Sequence, residues 1–263
     1  MMKELLKQCE SNLKRLPCCH TDERECKCYN CLKEGFWGMP DTYACGKKLN
    51  SYVINYGPSF ASEIFHYLSN SHILNGFIGN KNLKILSLGC GFAPDLIATE
   101  KYITDNRLDI QFEYFGVDIT PLWTSARYNA PNAHFSNCDV SQTINLNEFD
   151  IIFIVKLFST LWKIDLGKAF IQTLSNAITS QMKTNAIIVF NDINTDKMGR
   201  DFFHWKIKVL LSRYRQFYCG DPPYKKDCWI QIPEKNVIFN IPRGLSINPL
   251  MEIRNTIFFE YRK

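Results

Sequence analysis

Between residues 83 and 190, short apolar runs alternate with stretches whose apolar positions recur every three or four residues, so strands and helices are predicted to take turns. The runs place strands at 83–88, 111–117, 132–136, 150–155 and 185–190. Helices are predicted at 94–105, near 121–129, at 165–181 and at 198–217. Upstream, Leu5, Leu6, Cys9, Leu13 and Leu16 share one helical face within 1–17, stopped by Pro17. Tyr52, Tyr56, Phe60, Ile64, Tyr67 and Leu68 keep helical spacing on either side of Gly57-Pro58, which predicts two helices meeting at a bend and capping a pocket. In the tail, 229–232, 236–240 and 257–261 carry strand material. Such alternation implies an α/β fold, a doubly wound, mostly parallel sheet with helices on both faces.

The first strand breaks into Gly89-Cys90-Gly91 before the helix that opens near Pro94. Glycine at 89 permits a tight turn, and glycine at 91 lets the backbone approach a ligand. The second strand ends on an acid, Asp118, 27 residues after Gly91. A carboxylate there can accept hydrogen bonds from both hydroxyls of a ribose. In a parallel sheet, Gly89, Gly91, Asp118 and Asp139 should converge outside the carboxyl ends of the strands.

The words Leu88-Gly89-Cys90-Gly91, Gly116-Val117-Asp118 and Cys138-Asp139-Val140 together resemble the class I S-adenosylmethionine-dependent methyltransferases, over residues 83 to 263. The resemblance implies a seven-stranded sheet completed by an antiparallel pair. It also implies that Gly89, Cys90 and Gly91 lie against the methionine part of the donor, that Asp118 and Ile119 flank the ribose, and that Asp139 and Val140 meet the adenine. Ala93 departs from the pattern, standing where a third glycine is frequent. After the fourth and fifth strands, Lys156 and Asp192 are the candidate catalytic residues. A nicotinamide or flavin protein is the alternative, weakened because a sulfonium needs no array of anion-binding amides. Asp221-Pro222-Pro223-Tyr224 looks like the tetrapeptide of amino-methyltransferases of nucleic acids, but it falls at the wrong place and reads as a turn.

Composition adds a second module. Six of the eleven cysteines fall between Cys18 and Cys45. In a reducing compartment this clustering argues for zinc, with Cys19, Cys26, Cys28, Cys31 and Cys45 the candidate ligands and Cys18 and His20 in reserve. Three units are therefore expected: 1–45 with the cysteine-rich module, 46–80 as helical cap, and 81–263 as the donor-binding domain. No signal-peptide core and no long uncharged apolar stretch occurs, so a cytoplasmic protein with no membrane partner is expected.

Charge is uneven. Residues 197–263 hold thirteen Lys and Arg against six Asp and Glu, whereas 51–196 hold nine against thirteen. Cations alternate with rings through 200–226, which fits phosphates and unstacked bases and makes nucleic acid, RNA above all, the favoured acceptor. A methyltransferase of small molecules or proteins, and a partner subunit that binds the donor without turnover, are the alternatives.

Overall fold

The computed structural model describes residues 1–17, 43, 45–223 and 228–263. Helix α1, Met2–Arg15, ends with Leu16 in the extended region, as expected of a residue that precedes proline. Its buried face, Leu5, Leu6 and Cys9, packs on α2, Gly46–Ser71. The predicted bend is absent: α2 is one helix of 26 residues that runs through Pro58. A proline inside a helix costs about 3 kcal/mol. Burial on both sides of it, from Leu49 and Val53 to Ile64 and Leu68, offsets that cost.

The sheet then forms in the order β3-β2-β1-β4-β5-β8-β6-β7. Strands β1 (Leu83–Leu88), β2 (Phe112–Asp118), β3 (Ala133–Asn137), β4 (Ile151–Val155) and β5 (Ile187–Ile193) are parallel. The antiparallel pair is β6 (Arg213–Cys219) with β8 (Thr256–Arg262), and β8 lies between β5 and β6, antiparallel to both. An eighth strand of two residues, β7 (Ile230–Gln231), adds to the edge of the expected seven. The expected strand at 236–240 is reduced to a single bridge from Asn236 to Glu252.

Alternate residues of each strand feed two cores, because both faces are covered. Ile152, Ile154, Ile188 and Phe190 pack against α5, Gly167–Ser180, and α6, Arg200–Lys208. Ile151, Phe153, Ile187 and Val189 face α2 and α3, Pro94–Asp105. The helix predicted at 198–217 stops at Lys208, and 213–219 turns into β6. Arg213 to Cys219 alternates exposed and apolar positions too poorly to declare itself, and pairing with β8 decides its state. The stretch near 121–129 is a short 3₁₀ turn, Pro121–Ser125, rather than a helix.

Asp95, in the first turn of α3, is fully buried and accepts the Tyr114 hydroxyl at 3.0 Å. Burial raises its pKa from 3.8 to about 6. The folded chain therefore binds this proton more tightly than the unfolded one. The resulting penalty is absent below about pH 4 and complete above about pH 6. Asp95→Asn should stabilise the protein at pH 7.5 by up to about 3 kcal/mol, with the gain shrinking toward pH 4. Urea unfolding at the two pH values measures this, and a gain that grows on acidification would contradict it.

Candidate functional site

Strand order reverses at β1, which has β2 on one side and β4 on the other. In such a sheet the crevice beyond the carboxyl ends of these strands is where a ligand fits. The turn after β1 occupies that place. Gly89 and Gly91 take φ of +64° and +51°, and Ala93 follows at +61° as the cap of α3. Alanine thus carries a left-handed conformation at the position where glycine would be unstrained. A side chain at Gly89 would meet Leu157 Cδ1 at 2.5 Å, whereas one at Gly91 would make ordinary contact with Trp123 at 3.4 Å, so at Gly91 it is the left-handed backbone that favours glycine.

Asp118 closes the turn from the neighbouring strand. Its Oδ2 accepts the Gly91 N–H at 2.9 Å and its Oδ1 the Thr120 N–H at 3.0 Å. Burial raises its pKa, while these N–H groups and the Arg127 cation oppose the shift. Arg127 also donates from Nε to the Gly91 carbonyl at 2.7 Å. The Trp123 side chain also donates to it, and because a carboxylate has about four acceptor sites, room remains to accept from a hydroxyl. The turn, Asp118, Ile119 and Lys156 line one cavity of about 160 Å³, walled by Tyr52, Phe60 and Trp123.

Asp139 and Val140 are not among the residues lining this cavity. Asp139 spends its oxygens on Ser141 (N–H at 2.9 Å, hydroxyl at 2.7 Å) and Gln142 (2.8 Å), and Val140 is buried with Ile144 and Leu146. Both follow β3, whose last residue, Asn137, pairs with Asp118, so they share the sheet edge without reaching the cavity.

The two candidate catalytic residues part company. Lys156, at φ +52°, lines the cavity and places Nζ 4.9 Å from the Phe60 ring centroid. Asp192 is buried behind it and does not line the cavity, because its carboxylate accepts the N–H groups of Ser159 and Ile193 at 2.9 and 2.8 Å. Asp192 thus caps α4, Phe158–Lys163, and supplies negative charge near Lys156. The partner of Lys156 is Glu63 of α2, at 2.7 Å, a residue the sequence reading passed over. Its signal was available: Tyr52, Tyr56, Phe60 and Glu63 follow one another at spacings of four, four and three, so an acid lies on an otherwise aromatic stripe.

Cys19, Cys26, Cys28 and Cys31, with Cys18 and His20, lie outside the described residues. Cys45 is described, and it is buried at the start of α2. Among the described residues no group of three or more His, Cys, Asp or Glu side chains could hold a metal, and no helix is long and apolar enough to cross a membrane.

No family model matches the chain, and no curated protein matches it. Solved structures do. It is similar to the N-methyltransferase NodS of Bradyrhizobium japonicum in complex with S-adenosyl-L-homocysteine, at 12% identity and a TM-score of 0.48, over 90% of this chain and 98% of that one. It is also similar to a TehB-like SAM-dependent methyltransferase of Corynebacterium glutamicum, at 14% identity and a TM-score of 0.43, over 76% and 87%. A precorrin-6y C5,15-methyltransferase of Geobacter metallireducens compares at 11% identity and a TM-score of 0.41, over 73% and 86%. The three are methyltransferases by description, and at these identities none lends this chain a substrate.

Proposed function

We propose that this protein is an S-adenosylmethionine-dependent methyltransferase. The observation that carries the reading is the meeting of the left-handed glycine turn with Asp118 in one cavity at the point where strand order reverses. Gly89, Cys90 and Gly91 would hold the methionine part of the donor, and Asp118, beside Ile119, its ribose. Bound there, the donor supplies a methyl group on a positively charged sulfur. The faces of Tyr52, Phe60 and Trp123 suit such a charge and keep water from it. Alignment of the acceptor supplies much of the acceleration in a direct displacement, so the residues that shape the cavity count for more than an acid-base pair. Isothermal titration with S-adenosylhomocysteine should give saturable binding at one site per chain. Absence of heat would remove the reading.

For the acceptor we favour a small molecule over RNA. Two of the cations that suggested nucleic acid, Arg213 and Arg215, stand toward the opposite end of the sheet from the cavity. Arg213 pairs with Arg262, which pairs with Ile187 at the start of β5, whereas the cavity lies beyond the ends of β1 and β4. Arg215 is further tied to Glu260 at 2.6 Å. RNA remains the competing reading, carried by the basic excess of the C-terminal part. A zinc ion held by the cysteines at 19, 26, 28, 31 and 45 is likewise a proposal, supported by their spacing.

A further inference from the structure

A second cavity adjoins the first and shares Tyr43, Tyr52, Phe60, Lys156 and Thr160 with it. It encloses about 270 Å³. One wall is the aromatic stripe of α2, where Tyr52 and Tyr56 have ring centroids 5.1 Å apart and Tyr56 stacks on Phe60 at 5.4 Å. The polar end of that stripe is Glu63. Glu252 and Arg254, both exposed and 3.8 Å apart, also line this cavity.

The buried charges are asymmetrically occupied. The Lys156 ammonium is engaged by Glu63 Oε2 at 2.7 Å and Thr256 Oγ1 at 3.0 Å, with the Phe60 ring 4.9 Å away. Glu63 Oε2 also accepts the Thr256 hydroxyl at 3.0 Å. Glu63 Oε1 makes no hydrogen bond among the described residues. So the open polar atom is an acceptor, and it calls for a ligand that donates. Glu63 and Asp192 together outnumber Lys156, leaving a net negative charge at this end. Burial, the neighbouring Tyr43 and Tyr56, and these two carboxylates all push the Tyr52 hydroxyl up, as expected where further negative charge is disfavoured.

We propose that the second cavity receives a small amine on a flat or apolar body, its N–H donating to Glu63 Oε1 and its nitrogen lone pair turned toward the first cavity. This rests on the methyl donor binding in the first cavity. An amine bound as its ammonium form first gives one proton through Glu63 to water; the freed nitrogen lone pair then forms the new N–C bond, the C–S bond breaks, and its electron pair stays on sulfur as a neutral thioether. The surplus proton on nitrogen passes to Glu63 and then to water. Three rings and the carboxylate excess stabilise the cationic nitrogen that develops. A phenol or alcohol would develop a different charge, and the Lys156 ammonium is already engaged.

Matched probes test this: benzylamine against benzyl alcohol, and cyclohexylamine against cyclohexanol, each titrated into the protein saturated with S-adenosylhomocysteine. Methyl transfer from labelled donor is followed by mass spectrometry. The amines should bind at least about tenfold more tightly than the alcohols and alone be methylated. Glu63→Gln should erase that preference. Because Glu63→Gln also strips Lys156 of its partner, Tyr56→Ala serves as a second variant that leaves the ion pair intact, and it should weaken both amines about tenfold. Alcohols bound as tightly as amines, an amine preference kept by Glu63→Gln, no amine bound at all, or methylation of added RNA with none of the probes would each overturn the proposal. Failure to bind S-adenosylhomocysteine would instead strike the donor reading beneath it.

Discussion

Asp118→Ala should lower the affinity for S-adenosylhomocysteine by between about 100-fold and 10⁴-fold while the chain stays folded. The magnitude follows from hydroxyl contacts to an ionised acceptor, each contributing about 1.5–3 kcal/mol. Asp118 also accepts the N–H groups of Gly91 and Thr120, so its removal loosens the turn that would hold the methionine part. Asp118→Asn separates the two effects. It keeps one acceptor oxygen without the charge and should bind at an intermediate level, about tenfold below the parent. Burial holds the Asp118 carboxyl above the usual carboxylate range, so affinity should also fall on mild acidification, before an exposed aspartate would protonate. Titration calorimetry of the three proteins, with urea unfolding as the folding control, gives the answer. An alanine variant that binds within about threefold of the parent would place the ribose elsewhere.

Lys156→Met should destabilise the protein by about 3–5 kcal/mol, since it leaves the Glu63 carboxylate buried with no countercharge. Glu63 is 2% exposed at the side chain, and its remaining partners would be the neutral Thr256 and Asn191. Methionine matches the length of lysine, so little of the loss would come from a void. Glu63→Gln combined with Lys156→Met should restore most of the stability, because the double change removes both charges together. Urea midpoints of the parent, the single and the double variant close the cycle. A loss under about 1 kcal/mol in the single variant would mean that water reaches Glu63 and screens it.

The sheet was legible where one signal acted alone. Strand 83–88 and helix 94–105 match β1 and α3 residue for residue, because a mostly apolar run ends on glycine and Pro94 starts the helix in its preferred first position. Legibility failed where tertiary pairing overrode local pattern. Arg213 to Cys219 reads as the end of a helix until β8 offers it a partner, and Pro58 reads as a break until packing on both sides of it holds α2 together. The site divides in the same way. Gly89, Gly91, Asp118 and Lys156, which line one cavity, could be singled out because each stands at the end of a strand, where the fold rule gives position a meaning. Glu63 lies on a helix far upstream, and only the three-dimensional packing brings it to residue 156. Asp139 went the other way: its motif is local, and so are the hydrogen bonds that occupy it.

The placement of β8 between β5 and β6 bears on how the chain is made. Synthesis delivers Glu63 before Lys156 and Asn191, and Thr256 after all three, yet these four side chains are joined by hydrogen bonds. A nascent chain that has extruded β5 and β6 but not β8 therefore holds two bare strand edges and a Glu63–Lys156 pair that still lacks the Thr256 hydroxyl. Ribosome-bound intermediates of this protein should need shielding until residues 256–262 emerge, after which the pocket and the sheet become whole in a single event.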